Sequence, residues 1–392
     1  MRLFTLLLGL CLAISVRAEQ DSLSHFQLDD QFSQAQQLIQ SFQFDQAILI
    51  LTDCLHYDEE NVDYQLQMAY CYLQTGRYQD ATWFYQAILD KDPRNLNALS
   101  SLGSIAERIG NYRQAEDYYL KMIDIDTSNA YYFKRAAYAS LRLNEPFKAV
   151  ARFNIAHQIT PNDLETIDQL SDLYLKFNQL DYVEAILEKG LKLDQQNIKL
   201  LQNQARLAQK KKDYPVIVEA IQKTMVLGDS AKYYQMMIGV AYMQLDSLEQ
   251  GIFHLERLVE KKADSEYTHH YLGLAYQEKE DAEKSAYHFE QAIAMGIADK
   301  QYLFHADYAR LLQKESQFRK AIHHYQKAYE YRAKPVFLFH LARCNDQAYA
   351  DKRLAERYYR QYLESGHEQY QAYTKQRLEN LKEIIHFQNG KN

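Results

Sequence analysis

Proline and glycine are scarce in this sequence, with 5 prolines and 12 glycines among 392 residues. Both residue types interrupt helices, so their scarcity favours a fold made almost wholly of helix. The prolines fall between helical segments, where a missing N–H group costs least. No run of alternating β-branched residues indicates a sheet. We therefore expect an all-α protein.

Signatures of catalysis and metal binding are also absent from the sequence. It contains no His-Glu-x-x-His segment, no glycine-rich phosphate loop and no Gly-x-Ser-x-Gly turn. His269-His270 and His323-His324 are the nearest candidates for a metal site. Neighbouring side chains on a helix point about 100° apart and grip one ion poorly. We expect no catalytic residue, no metal and no cofactor.

The negative net charge and the lack of long apolar segments argue against nucleic-acid binding and membrane insertion. The net charge of −7 disfavours nucleic acid as a ligand. After residue 20 no segment is apolar enough to span a bilayer, which requires about 20 residues. We expect neither a nucleic-acid partner nor a transmembrane segment in the mature chain.

The N-terminus has the pattern of a secretory signal. A basic residue precedes an apolar run over residues 3–14, and small residues follow at the expected cleavage position. We predict a signal peptide at 1–18 and export to a periplasmic or extracellular compartment. Cys11 follows the bulky Leu10 where a lipidation motif has a small residue, so we do not expect a lipid anchor.

Removal of the predicted signal peptide would leave three cysteines, and export would change their redox environment. Cys54 and Cys71 fall on successive predicted helices, so they could approach each other in an oxidising compartment. Cys344 is the third, and an odd number cannot pair fully within one chain. The alternative, which we favour, is that these cysteines are small core side chains.

Small residues recur at intervals of 34 along the chain. They are Ala35, Ala69, Gly103, Ala137, Ser171, Ala205, Gly239 and Gly273, and Ala309 and Arg343 continue the series after a two-residue insertion. Twelve residues later come Ala47, Ala81, Ala115, Ala149, Val183, Ile217, Gly251, Ser285, Ala321 and Ala355. Four residues further on, the bulky series is Leu51, Tyr85, Tyr119, Phe153, Leu187, Ile221, Leu255, Phe289, Tyr325 and Tyr359. Such a period is typical of a repeat protein.

Each repeat is predicted to contain two helices. Turn signals such as Gly76-Arg77 and Asn144-Glu145-Pro146 separate the two small positions. Antiparallel helices can cross closely where one of them lacks bulk, and the large residue one turn later fills the groove beside the crossing. The remaining exposed face must be covered by the next repeat.

Two segments carry a resemblance to a known family. Residues 80–85 with Asp92-Pro93, and residues 99–103 leading to 110–115, resemble tetratricopeptide repeats (TPR). The resemblance implies about ten helix-turn-helix units over 28–369 in a right-handed superhelical solenoid. It also implies that the first helix of each unit lines a concave groove that holds an extended peptide or a partner helix.

The remaining segments are short. Residues 19–27 are expected to form a leader. Residues 370–392 are predicted to form a capping helix and a tail, because Tyr370, Leu378 and Leu381 follow helical spacing and could cover the last repeat.

Charged residues alternate along the predicted groove. Counting the repeats from Ala35, the fourth unit places Tyr131, Lys134, Tyr138 and Arg142 on this face. The fifth unit places Glu165, Asp168 and Asp172 there, and the sixth unit places Lys199, Arg206 and Lys210 there. This succession would suit a polar peptide with complementary charges. The alternative is a solvated helix face with no ligand.

An apolar stretch follows on the same predicted face. Its residues are Tyr233, Met236, Val240 and Met243, with Tyr267, His270 and Leu274 from the next unit. Exposed aromatic and methionine side chains suit an apolar partner surface. A shift of register by one residue would instead return the methionines to the core.

The sequence therefore predicts a non-catalytic scaffold that binds a protein or peptide partner in the cell envelope. The alternative is an accessory subunit of an envelope or cell-wall enzyme or assembly machine. A third possibility, an enzyme, would rest on the carboxylate pair Asp168 and Asp172, one helical turn apart.

Overall fold

The computed structural model describes residues 28–229, 231–296 and 300–389, and every regular element among them is an α-helix. The predicted signal peptide (1–18) and leader (19–27) lie outside these residues. None of the described helices is both long and apolar enough to cross a bilayer. The prediction of an all-α fold is confirmed.

The helices divide into two compact halves, with the division between Leu193 and Asp194. The described part of the N-terminal half contains α1 (28–40), α2 (Phe44–Tyr57), α3 (Val62–Gln74), α4 (Tyr78–Lys91), α5 (Leu96–Arg108), α6 (Tyr112–Ile125), α7 (Ala130–Arg142), α8 (Pro146–Ile159), α9 (Leu164–Lys176) and α10 (Leu180–Leu193). The C-terminal half contains α11 (Ile198–Lys211), α12 (Tyr214–Val226), α13 (Lys232–Gln244), α14 (Leu248–Glu260), α15 (Glu266–Glu278), α16 (Ala282–Met295), α17 (Gln301–Lys314), α18 (Phe318–Tyr331), α19 (Pro335–Ala348), α20 (Arg353–Glu364) and α21 (Gln371–Asn389).

Successive helices pair as antiparallel hairpins. Each odd-numbered helix from α1 to α19 is the first helix of a hairpin, and a short turn joins it to the even-numbered second helix. This pattern gives ten hairpins over the described residues, numbered one to ten in chain order, and α21 follows the last of them. The structure is the predicted all-α solenoid of helix-turn-helix units with a terminal helix.

Five consecutive first helices, α3 to α11, begin at side-chain caps that share the 34-residue period. The capping residues are Asn61, Asn95, Asn129, Asp163 and Asn197. The Asn95 side chain, for example, accepts a hydrogen bond from the backbone N–H of Ala98 at 3.0 Å. Each cap satisfies a backbone donor that the helix cannot, and stabilises it by about 1 kcal/mol.

The turn inside each of hairpins one to nine contains one residue in the left-handed conformation. These residues are Phe42, Gly76, Gly110, Asn144, Asn178, Lys212, Asp246, Glu280 and Ser316, all with positive φ. Two of the nine are glycine, the residue that adopts this conformation without steric cost. The turn geometry therefore persists even where the residue type does not favour it.

The small positions lie where the two helices of a hairpin cross. An added Cβ at Gly103 would lie 2.7 Å from the ring of Tyr119, and one at Gly273 would lie 2.8 Å from the ring of Phe289. Hairpin seven has glycine on both helices, and a Cβ on Gly251 would lie 2.9 Å from the carbonyl oxygen of Gly239. The bulky residue thus fills the space beside the crossing, as the spacing predicts.

Hairpin ten departs from the predicted series. Arg343 was expected at the small position, but its side chain is exposed and its guanidinium lies 6.0 Å from the ring centre of Tyr373. Ala342, which is fully buried, takes the small position instead. The turn over 349–352 is one residue longer than the turn of hairpin nine, so the residue opposite Ala355 shifts by one.

The terminal helix α21 caps hairpin ten. Leu378 and Leu381 are buried, and the ring of Tyr370 stacks on Phe339 at 4.1 Å. The Arg377 guanidinium donates two hydrogen bonds, of 2.7 and 3.0 Å, to the buried carboxylate of Asp346 on α19. Apolar contact and a bidentate ion pair together hold the helix on the last hairpin.

The three described cysteines are buried thiols without a disulfide partner. Cys71 packs in the core of the first hairpins with Ala35 and Leu51. Burial raises the pKa of the Cys71 and Cys344 thiols to about 12. In this structure they act as small core side chains.

Candidate functional site

The first-helix face of the N-terminal half contains the predicted residues of hairpin four. Tyr131 is 48% exposed, whereas Lys134 and Tyr138 are partly buried between α7 and α9. A cavity of about 480 Å³ opens beside Tyr131 and Lys134. Asp126 and Asp163 border the same cavity. The structure brings these residues to one junction between neighbouring first helices.

Lys134, Tyr138 and Glu165 bond to one another across this junction, and we call them the Lys134 cluster. Lys134 Nζ donates to Glu165 Oε2 at 2.5 Å and to Asp163 Oδ2 at 2.9 Å. Tyr138 OH donates to Glu165 Oε1 at 2.7 Å. These hydrogen bonds, from Lys134 first and then Tyr138, hold the pKa of Glu165 below its ordinary value. Side chains of the chain itself therefore bridge α7 and α9 beside the cavity.

Part of the predicted charge alternation is neutralised by ion pairs inside the chain. Lys134 of hairpin four pairs with acids of hairpin five, as described. Asp172 accepts from Lys176 on the same helix at 2.7 Å. Arg206 donates to the side chain of Asn203 at 2.8 Å. The face therefore presents less uncompensated charge than the sequence alone indicates.

The first-helix face of the C-terminal half contains most of the predicted apolar stretch. Tyr233 on α13 is 45% exposed, and Met236, Val240, Tyr267, His270 and Leu274 are partly exposed. Tyr267 lies edge-on to Phe304 at 5.9 Å, and His270 Nε2 lies 2.7 Å from Asp307 Oδ2. We call these six residues of α13 and α15 the apolar patch. It is a mixed surface whose aromatic edges remain accessible.

Met243 is not part of this patch, and its prediction as a groove residue is wrong. Its side chain is 9% exposed and packs in the core with Leu255 and Leu272. An added Cβ on Gly251 would lie 2.8 Å from Met243 Cγ. The position equivalent to Arg142 in hairpin seven is Gln244, so Met243 lies one residue short of the exposed face.

The adjacent histidines of hairpin eight point to different partners. His269 Nδ1 lies 2.9 Å from His288 Nδ1, and its Nε2 lies 2.9 Å from Asp264. His270 faces Asp307 instead. No group of three or more His, Cys, Asp or Glu side chains that could hold a metal occurs in the described part of the chain.

Similar polar pairs join the two helices of three consecutive hairpins. Gln235 pairs with His254 at 2.7 Å, His269 with His288 at 2.9 Å, and His305 with His324 at 2.8 Å. Burial lowers the pKa of His288, His305 and His324 to about 4. A neutral histidine pair forms this bond when one ring donates and the other accepts.

A second pocket, which the sequence analysis did not single out, lies between α3 and α5. It has a volume of about 420 Å³ and is lined by Leu66, Gln67, Tyr70, Tyr85, Asn97, Ser100 and Ser101. None of these seven residues is charged. The 34-residue period could have indicated this pocket, because Leu66, Tyr70 and Asn97 stand two repeats before Lys134, Tyr138 and Glu165.

The ten hairpins define a class of protein, the helical-repeat solenoid, in which each unit packs mainly on its neighbours and the helix faces remain available for contact. Family models described as tetratricopeptide repeat match residues 38–82 and 84–130. These two segments of the chain are therefore tetratricopeptide repeats. Repeats of this type support a role as a protein-interaction scaffold. No curated protein matches the sequence.

Some solved structures of low sequence identity resemble parts of the chain. A tetratricopeptide repeat protein from Parabacteroides merdae ATCC 43184 is 17% identical, covers 64% of this chain and 98% of its own, and has a TM-score of 0.45. PilF of Pseudomonas aeruginosa is 19% identical, with coverage of 53% and 95% and a TM-score of 0.43. YrrB, described as a TPR protein with an unusual peptide-binding site, is 17% identical, with coverage of 45% and 92% and a TM-score of 0.40.

Proposed function

We propose that this chain is a non-catalytic scaffold that binds an extended segment of a partner protein on the first-helix faces of successive hairpins. One observation carries the proposal: the first helices present accessible side chains, such as Tyr131 and Tyr233, in front of fully packed crossings. Preformed helices lose little conformational freedom on binding, so the cost of ordering falls mainly on the partner.

We place this activity in the cell envelope. The support is the apolar run over residues 3–14, which follows a basic residue and precedes small residues. A partner would then be another exported protein or an exposed segment of an envelope assembly. Envelope extract is therefore the material in which to look for it.

The test is affinity capture from envelope extract with the mature chain and three variants. Two variants alter first-helix faces: Tyr70→Ser in the N-terminal half, and Tyr233→Ser with Tyr267→Ser in the apolar patch. The third, Phe253→Ser with Tyr287→Ser, removes aromatic rings that are 56% and 54% exposed on second helices. It is matched in chemistry and exposure but changes the other face of the hairpins.

We expect a protein that is captured by the wild type and by the second-helix variant, and reduced about tenfold or more by at least one first-helix variant. Circular dichroism of each variant checks that the helices are retained. Capture that survives both first-helix changes, or that depends on Phe253 and Tyr287, would show that the first-helix faces are not the binding surface.

A further inference from the structure

The N-terminal half contains two chemical versions of the same junction between first helices. Lys134, Tyr138 and Glu165 occupy the version between α7 and α9. Two repeats earlier, Leu66, Tyr70 and Asn97 occupy the corresponding positions between α3 and α5. Because the backbone repeat is shared, one junction serves as an internal comparison for the other.

At the later junction the Lys134 cluster closes the gap between α7 and α9, and the cavity of about 480 Å³ lies beside that cluster, towards the turns that precede the two helices. The Lys134 ammonium group reaches across to two carboxylates, and the Tyr138 hydroxyl donates to the nearer of them. Only 16% of the Lys134 side chain is exposed. A ligand entering here would have to break these bonds and leave the largely buried Lys134 ammonium group without partners, which is costly.

The earlier junction lacks every charged group of that cluster. Leu66 cannot cross the gap as Lys134 does, and Asn97 carries a neutral amide where Glu165 has a carboxylate. The result is the pocket of about 420 Å³, with the Tyr70 ring on one wall. Ser101 and the buried Tyr85 also line it.

The polar groups of this pocket remain available for a ligand. In the described part of the chain, the side-chain amides of Gln67 and Asn97 form no hydrogen bond. Each amide offers one acceptor oxygen and a donor NH₂ group. A peptide bond offers the complementary acceptor and donor, so one amide can form two reciprocal hydrogen bonds with an extended main chain.

The neutral lining also selects against charge. A charged ligand group would lose water in a pocket whose lining offers no opposite charge, and that desolvation is uncompensated. We propose that the pocket between α3 and α5 binds the main chain of an uncharged, extended peptide segment. This inference rests on the proposed function and narrows it to one site and one ligand class.

The test begins with selection of short peptides from a random phage-displayed library on the mature full-length chain. Affinities of the selected peptides are then measured by fluorescence anisotropy for the wild type and three variants. Leu66→Lys with Asn97→Glu copies the closed junction into the open one. Asn97→Asp changes one exposed atom group and should not affect folding. Lys134→Leu with Glu165→Asn opens the closed junction.

We expect selected peptides without charged residues, whose affinity changes little between about 0.05 and 0.5 M ionic strength. The Leu66→Lys with Asn97→Glu variant should lose about tenfold or more in affinity, and Asn97→Asp should lose about fivefold or more. The variant with the opened junction should keep the wild-type affinity, because the pocket between α3 and α5 is unchanged and the later junction still contains the charged Asp163 and Asp168.

Three results would overturn the inference. The first is the selection of charged peptides whose binding weakens with salt. The second is uncharged peptides that ignore Asn97→Asp and instead lose affinity when Tyr233 and Tyr267 are changed, which would leave the proposed function intact but move the site. The third is enrichment of no peptide at all, with a neutral oligosaccharide bound instead, which would contradict both the inference and the proposed function.

Discussion

At the scale of single residues, helix propensity and packing make opposite demands on the small positions. In hairpin seven the crossing brings Gly251 within contact of the Gly239 backbone, so even a methyl group lacks space. In hairpin eight the second position is Ser285, whose hydroxyl donates to the Gly273 carbonyl at 2.8 Å. The close helix crossing is therefore possible in hairpin seven because both residues lack side chains, and in hairpin eight because the small serine side chain hydrogen-bonds to the facing backbone.

We predict that Gly251→Ala lowers the free energy of unfolding by about 1–2 kcal/mol. Helix propensity alone predicts the opposite sign, a gain of about 1 kcal/mol. The comparison variant is Gly110→Ala, which has open space around the added Cβ but a φ of 80°. It should lose about 1 kcal/mol from backbone strain alone. Urea denaturation measures both, and a stabilised Gly251→Ala protein would show that the crossing can widen freely.

Single residues also show which parts of the candidate site could be predicted. The period placed Tyr131, Lys134 and Tyr138 on one face because it reports which side of a helix a residue occupies. It could not report that Lys134 bonds to Glu165, since that depends on the distance between two helices. The misplacement of Met243 had a different cause, because counting from Gly239 would have given Gln244.

At the scale of elements, the helices were predictable and the exceptions came from turn lengths. Periodic small and bulky residues indicate where two helices must cross, so ten hairpins follow from the sequence. The longer turn over 349–352 carries no distinctive residue, so the shift from Arg343 to Ala342 became visible only in the packing. The last hairpin then depends on α21 for the cover that its neighbours receive from the next repeat.

We predict that Arg377→Ala weakens the attachment of α21 by about 2–4 kcal/mol, because it leaves the buried carboxylate of Asp346 with Lys352 as its remaining ionic partner. Hydrogen exchange read by mass spectrometry should show faster exchange in α21 and α19. The control is Arg353→Ala, which removes an exposed ion pair with Asp351 and should change stability by less than about 1 kcal/mol. Equal exchange in the two variants would mean that apolar contact alone holds the helix.

At the scale of the whole molecule, the two halves differ in their buried histidines. In the C-terminal half, burial lowers the pKa of His288, His305, His324 and His340 to about 4. In the described N-terminal half the comparable group is His157, whose pKa is lowered by burial and by Lys189. Protonation should therefore act mainly on the C-terminal half.

The sign of the pH effect follows from these pKa directions. A folded pKa near 4 lies below the ordinary value of 6.5, so the unfolded chain binds more protons between these values. The contribution of His288 to the free energy of unfolding is complete above pH 6.5 and is lost as the pH falls towards 4. At about pH 5 the loss is about 2 kcal/mol. Hydrogen exchange at neutral and mildly acidic pH should show the C-terminal half opening first.

Gln235 suggests the control for this prediction, because it forms the equivalent bond to His254 with an amide that does not titrate. The variant His269→Gln with His305→Gln should keep the helical hairpins and reduce the loss of stability at mildly acidic pH. If both halves open together in the wild type, or if the variant has the same pH dependence, the histidine pairs are not the cause.

The three buried thiols provide a way to follow such opening without altering the chain. A thiol with a pKa near 12 reacts slowly with alkylating reagents in the folded state, so its modification waits for exposure. Cys54 and Cys71 lie in the N-terminal half and Cys344 in the C-terminal half, each with no exposed surface. The alkylation rate of each cysteine therefore measures how often the structure around it opens. The wild-type protein already contains at least one such cysteine in each half.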